Sequence, residues 1–63
     1  MERERLEKLL EHWIEHNRDH TKKYEEWAKK LRDSEPEISK GLLEAVVYFR
    51  KGEATLEDVR DML

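Results

Sequence analysis

The 63-residue sequence contains no cysteine, one proline and two glycines, and it has no long apolar run. Without cysteine, neither a disulfide nor a thiolate-bound metal ion can stabilise the chain. No segment approaches the roughly 20 apolar residues of a membrane span, and no apolar stretch typical of a secretory signal follows the charged N-terminus. We therefore expect a cytoplasmic protein without a membrane partner.

The chain also lacks an excess of basic residues. Its 13 lysines and arginines are interleaved with 16 acidic residues, which gives a net charge of −3. Nucleic-acid-binding proteins usually present a basic face or arm, and the sequence shows neither. We expect no nucleic-acid partner.

Apolar residues make up only 37% of the chain, whereas charged residues make up 46%. Residues 1–63 form one domain, near the lower size limit for a chain that folds alone. A metal ion held by His, Asp or Glu, oligomerisation, or very regular helix packing can compensate for such a thin core. We therefore predict a homo-oligomer, with a dimer favoured, and a further protein partner remains an alternative.

The sequence predicts an all-α fold of three helices. Residues 2–33 lack Pro and Gly and form one long helix. Pro36 marks the opening turn of a second helix over residues 37–51, with Ser34 and Glu37 spaced as a capping box. Gly52 ends that helix, and Thr55 caps a short third one. The two shorter helices pack on the long one, and the domain assembles into a helical-bundle homodimer.

Two lines of residues repeat every seven positions along the long helix and together form the predicted packing seam. One line comprises Leu6, Trp13, His20 and Trp27, and the other comprises Leu10, Asn17, Tyr24 and Leu31. On this interpretation Trp13 and Trp27 are core anchors, and Asn17 either fixes the pairing register or orients a ligand. The dimer would form through this seam and through a second apolar strip, Leu43 with Val47.

Three histidines, His12, His16 and His20, lie on successive turns of the long helix. Neighbouring imidazoles at this spacing can share one ion, but His12 and His20 are roughly 12 Å apart by helical rise. His16 and His20 are therefore the predicted ligands of a divalent transition metal (Zn, Ni or Co), with His12 peripheral. Glu15, Asp19 or a symmetric partner chain would complete the site.

Other interpretations of the histidines remain open. His20 can be a core imidazole bonded to Asn17 or Tyr24, and the group can be a pH switch without metal. A di-iron carboxylate site needs Glu-x-x-His pairs, and a zinc protease needs His-Glu-x-x-His. Neither motif occurs, so we expect no enzymatic activity, although an active site assembled in an oligomer is an alternative.

The run Leu10-Glu-His-Trp-Ile-Glu-His-Asn-Arg-Asp-His20, followed by Tyr24 and Trp27-Ala28, resembles a small helical domain of unknown function associated with archaea and anaerobes. The resemblance covers about residues 6–31. It implies a helical hairpin whose His-Asn-His helix is suspected of binding metal, which points to His12, His16, Asn17 and His20. The second half, with Pro36 and the predicted third helix, departs from that hairpin.

Taken together, these patterns predict a small, non-catalytic binding module with a histidine-based metal site at a helix seam. The alternative is a structural or protein-interaction bundle without metal, either self-assembling or designed, in which Asn17 and His20 specify pairing.

Overall fold

The computed structural model describes residues 1–63 and shows two long antiparallel helices joined by a tight turn. Helix α1 runs over Glu2–Leu31 and helix α2 over Pro36–Asp61. At the open end of the hairpin, Arg3 Nη2 donates to the carbonyl of Met62 at 2.9 Å. The all-α prediction is confirmed, whereas the prediction of a third helix is wrong.

Helix α2 continues through Gly52, where the sequence predicts a break. Gly52 does not adopt the left-handed conformation of a helix-ending glycine. Thr55 is not an N-cap either, because its Oγ1 donates to the carbonyl of Lys51, one turn back, at 3.0 Å. Beyond the glycine, Glu53 and Leu56 are half-buried. The partial burial of these two residues against α1 offsets the helix-propensity cost of glycine, which is about 1 kcal/mol relative to alanine.

A continuous α2 predicts that Gly52→Ala stabilises the protein. A Cβ at Gly52 would meet nothing within 4 Å, so we expect the free energy of unfolding to rise by about 0.5–1 kcal/mol. Urea denaturation at fixed protein concentration measures this change. The matched control, Ala54→Gly, should lower the value by a similar amount, because Ala54 is exposed in the same helix. If Gly52→Ala destabilised the protein, that result would contradict a continuous α2 and support the predicted helix break at Gly52.

The turn between the helices differs in detail from the sequence prediction. Helix α1 ends at Leu31 rather than at residue 33. The N-cap of α2 is Glu35, which makes no side-chain capping bond, and Pro36 lies at the first helical position as expected. The Ser34–Glu37 capping box is therefore wrong, because Pro36 places the cap one residue later than Ser34. Glu35 N donates to the carbonyl of Leu31 at 2.7 Å, which keeps the turn short.

A regular seam holds the two helices together. Residues with little exposure alternate by three and four positions along both helices, as expected for knobs-into-holes packing. The fully buried members are Leu10, Ile14, Thr21 and Ala28 in α1, and Ser39 and Val46 in α2. Near the turn the side chains are small, and Ser39 Oγ donates to the carbonyl of Ala28 at 2.6 Å. The helices therefore approach each other closely at this end.

Only one of the two predicted seam lines lies between the helices. On the line that contains Leu10, that residue is buried, and Asn17, Tyr24 and Leu31 are half-buried. The other line is exposed, so the prediction that Trp13 and Trp27 anchor the core of the hairpin is wrong; their exposed fractions are 43% and 55%. The second line of the seam is instead formed by the residues four positions after those of the Leu10 line. The sequence pattern does not distinguish them from the residues four positions before, because the spacing alternates by three and four in both cases.

The hairpin has one charged side, which we call the ion-pair face. Arg18 binds both Glu53 and Glu57, and Arg50 binds Glu25. The pKa of the Arg18 guanidinium lies above its ordinary value because the hydrogen bond to Glu53, and then the bond to Glu57, favour the charged form. These pairs join the two helices across one edge of the seam.

The opposite side carries large apolar side chains, and we call it the apolar face. In an antiparallel helix pair, flanking positions of the same kind lie on the same side of the seam, and the exposed tryptophan line flanks the edge away from the ion pairs. The face comprises Leu6, Trp13, Trp27, Ile38 and Phe49, all exposed. His20 lies on the same line of α1, midway between the two tryptophans. His20, which the sequence places in the seam, therefore lies on a surface.

Candidate metal centre

The three histidines form a ladder on the outside of α1, and all three are exposed. The rings of His12 and His16 are stacked with centroids 5.9 Å apart, whereas the rings of His16 and His20 meet edge-on at 4.4 Å. Helical periodicity produces this ladder, because side chains four residues apart lie on the same surface. The interpretation of His20 as a buried core imidazole is wrong, since its flank of α1 is not covered by α2.

His16 and His20 converge through their Nε2 atoms, which lie 2.9 Å apart. At this distance one Nε2–H donates to the lone pair of the other Nε2, so the two rings hold different tautomers. A bound metal ion would instead use both Nε2 lone pairs, so only the donating ring would have to move its proton from Nε2 to Nδ1. The two rings are therefore joined by one hydrogen bond when free, and they can present two nitrogen ligands to one ion.

The spacing of the two Nε2 atoms suits divalent transition metals. With metal–nitrogen bonds of about 2.05 Å, a separation of 2.9 Å corresponds to an angle of about 90° at the metal. That angle occurs between neighbouring ligands of an octahedral or square-planar ion such as Ni or Cu. Tetrahedral zinc requires the atoms to move apart by about 0.4 Å, which small rotations of two exposed rings provide.

Two imidazoles are all that the hairpin brings together. No group of three or more His, Asp or Glu side chains is arranged to hold one metal ion. A shallow depression beside the pair is lined by His12, Glu15, His16 and Asp19, and it includes the two additional ligands that the sequence predicts on this chain, Glu15 and Asp19. These two carboxylates lie about 100° or more around the helix from His20, so they do not converge with it. The chain supplies half of a four-coordinate site.

Asn17, which the sequence predicts beside the histidines, lies apart from them. Asn17 is half-buried in the seam, and its backbone carbonyl accepts a bond from Thr21 Oγ1 at 2.8 Å. Asn17 therefore lies in the seam, whereas His16 and His20 lie on the surface.

Tyr24 connects the histidine ladder to the apolar face. Its ring lies 6.4 Å from that of His20 and 5.4 Å from that of Phe49 on α2. Phe49 therefore belongs to the surroundings of the histidines, and the sequence alone did not indicate this. The pairing of Tyr24 with Phe49 depends on the length of the turn, which periodicity within one helix does not determine.

Neither helix contains a segment that is both long and apolar enough to cross a membrane.

Comparison with known proteins bears on the whole chain. A family model described as "Domain of unknown function (DUF8180)" matches residues 6–63. A protein of Archaeoglobus fulgidus described as an uncharacterized protein is 42% identical over 60 residues, which cover 95% of this chain and 97% of that protein. No solved structure matches the chain significantly. The resemblance to a small archaeal domain of unknown function is thus confirmed, and the match extends well beyond residues 6–31.

Proposed function

The chain belongs to the family described as Domain of unknown function (DUF8180), and we propose that it is a small binding module without catalytic activity. Its ligand is a divalent transition-metal ion (Zn, Ni or Co) held by His16 and His20. The observation that carries this proposal is the 2.9 Å distance between their Nε2 atoms on an exposed face. His12 is a peripheral group, because its ring stacks on that of His16 and lies farther along the helix.

Several features favour binding over catalysis. A metal-dependent hydrolase needs a metal with an open coordination position, and a general acid or base in a concave site. The histidines instead lie on the convex outside of a helix, and the depression beside them has no apolar wall. The broader groove between the helices is lined by residues of the ion-pair face, and its arginines and glutamates are already paired with each other.

Metal titration of untagged, chelator-treated protein tests this function. We expect His16→Ala/His20→Ala to lose at least about 100-fold in affinity for Zn, Ni or Co, because both nitrogen ligands are removed. Isothermal titration calorimetry of each metal gives the affinities, and elemental analysis gives the metal content. The matched control, His12→Ala, removes one imidazole from the same helix and should retain the affinity within a few-fold.

Two results would contradict the metal site. The first is binding by the double variant that equals binding by the wild type. The second is the absence of measurable binding by the wild type. The wild type, the double variant and the His12→Ala control should have the same helical circular dichroism, because each histidine is exposed and none supports the seam.

A second candidate function is that of an interaction module that needs no metal, and the apolar face favours it. Five large apolar side chains share a surface in a chain with only four buried apolar residues. The structure does not support Asn17 as the device for pairing between chains, since it lies between the helices of one chain. An interaction module of this kind would associate equally well before and after metal removal.

A further inference from the structure

The apolar face leaves the chain with more surface than a compact protein of its mass. The accessible surface is 5390 Å², whereas a folded monomer of 7.7 kDa is expected to expose about 4,300 Å². The excess is roughly 1,000 Å², and a stable interface buries about 800 Å² per partner. One interface of ordinary size would bring the chain into the normal range.

The shape of the hairpin points the same way. Its radius of gyration is 14.8 Å, against about 10.6 Å expected for a compact domain of this length. Domains usually consist of two packed layers around a core, and this chain is a single layer of two helices. A second layer is missing, and it must be long enough to cover a face of about the length of the hairpin, 51 Å.

The two faces of the hairpin differ in what they could bury. Covering the ion-pair face would remove the charges of Arg18, Arg50 and their glutamates from water, at a cost that the pairing does not recover. The apolar face carries none of these ion pairs, and its polar side chains are the histidines near its centre. It is apolar at both ends, with Leu6 near the open end and Trp27 and Ile38 near the turn. A surface of that kind is complementary to itself.

We propose that the apolar face binds a second copy of this chain, so that two hairpins form a four-helix bundle, and that the two His16–His20 pairs share one divalent transition-metal ion across the two-fold axis. The metal part of this inference rests on the proposed function, and the interface does not.

Two symmetric arrangements can bring the apolar faces together. If the turns lie at the same end, each α1 packs on the α2 of the other copy, and the histidines are diagonal and far apart. If the turns lie at opposite ends, the two α1 helices pack on each other in antiparallel fashion. Complete overlap then places the axis at the midpoint of α1, near residues 16 and 17. The second arrangement brings the histidine pairs together.

The same antiparallel arrangement places the apolar turn end of one copy against the apolar open end of the other. With the axis near residues 16 and 17, Trp27 of one copy comes to the level of Leu6 of the other, because both lie equally far from that midpoint. Large side chains from the turn end thus meet leucines from the open end. The polar histidines lie at the centre, where an unpaired imidazole would lose its contact with water unless it found a ligand or a bond.

A shared site also completes the coordination that one chain leaves open. Each hairpin supplies two Nε2 atoms 2.9 Å apart, and two hairpins supply four. Four nitrogen ligands satisfy a tetrahedral zinc ion or the plane of a Ni or Cu ion. The expected stoichiometry is one metal ion for two chains.

Sedimentation equilibrium, with and without added Zn or Ni, tests the interface and the shared site together. The informative variant is Trp27→Glu, which places a charge on the apolar face away from the histidines. We expect it to weaken the dimer at least about 100-fold. Leu43→Glu is the matched control, because Leu43 is 48% exposed on α2 and flanks the seam on the side of the ion pairs; it should leave the dimer unchanged. Circular dichroism verifies that both variants remain helical.

The possible outcomes separate the two parts of the inference. A wild-type monomer in the presence of metal, or a dimer insensitive to Trp27→Glu, overturns the interface. One metal ion per monomeric chain supports the proposed function and overturns the shared site. A dimer that binds no metal supports the interface and contradicts the metal function. A dimer with one metal ion for two chains, dissociated by Trp27→Glu and weakened by His16→Ala/His20→Ala, is the result we expect.

Discussion

Truncating Ile14 to alanine lowers the free energy of unfolding of this protein by about 2–4 kcal/mol. Ile14 is 2% exposed and is the largest fully buried side chain of the hairpin. Its removal costs the transfer free energy of three carbon atoms and leaves a cavity that two rigid helices cannot close. A domain of this length has a total stability of about 3–9 kcal/mol, so the variant should unfold at much lower urea concentration.

Leu43→Ala provides the comparison, since Leu43 is an aliphatic residue half-exposed on α2. We expect this truncation to change the stability by less than about 1 kcal/mol. Both variants must be measured at the same protein concentration, because association stabilises the folded state by mass action. Equal losses in the two variants would contradict the seam described above, in which Ile14 is central and Leu43 is peripheral.

Replacing Ser39 with leucine should destabilise the hairpin by a comparable amount, about 2–4 kcal/mol. Ser39 is buried between the helices near the turn, and its Oγ donates to the carbonyl of Ala28 at 2.6 Å. Leucine removes that bond, which costs about 1 kcal/mol, and inserts a larger side chain that forces the helices apart, which costs about 1–3 kcal/mol. Thermal unfolding followed by circular dichroism measures the loss.

Two further substitutions separate the contributions at this position. Ser39→Ala loses only the hydrogen bond and should cost about 1 kcal/mol. Ser34→Leu adds the same side chain in the exposed turn and should have little effect. If Ser39→Leu were tolerated as well as Ser34→Leu, the close approach of the helices near the turn would be wrong.

The sequence predicted the helical class and half of the seam, and the errors have specific physical causes. Leu10, Asn17, Tyr24 and Leu31 lie along the seam as expected. Their companion line was ambiguous because positions four before and four after them alternate equally well. The large apolar side chains of the tryptophans favoured the line four positions before, which the structure leaves exposed. Ile14, Thr21 and Ala28 are buried instead, and the small side chain of Ala28 allows the helices to pack closely near the turn.

The predicted break at Gly52 failed for a different reason. Local signals, a glycine followed by a capping threonine, indicated two helices. Tertiary packing favoured one, because a long α1 gives α2 a surface against which to continue, with Leu56 as a contact beyond the glycine. The helical hairpin implied by the family resemblance was the better guide to the second half of the chain than the local signals.

The histidine pair illustrates what periodicity can and cannot establish. Spacing alone indicates that His16 and His20 can share an ion and that His12 cannot join them. Spacing does not show whether α2 covers them, and the structure leaves them exposed beside the tryptophan line. Because of that exposure, the histidine pair, which the sequence predicts at a helix seam, is available to a second chain.

The central claim is that two chains share one metal ion through their histidine pairs, and native mass spectrometry tests it most directly. Untagged protein loaded with one equivalent of Ni or Zn per two chains should give a species of twice 7.7 kDa plus the mass of one metal ion. The same treatment of His16→Ala/His20→Ala should give no metal adduct. A wild-type species consisting of one chain with its own metal ion, or of two chains that never retain one, would contradict the claim.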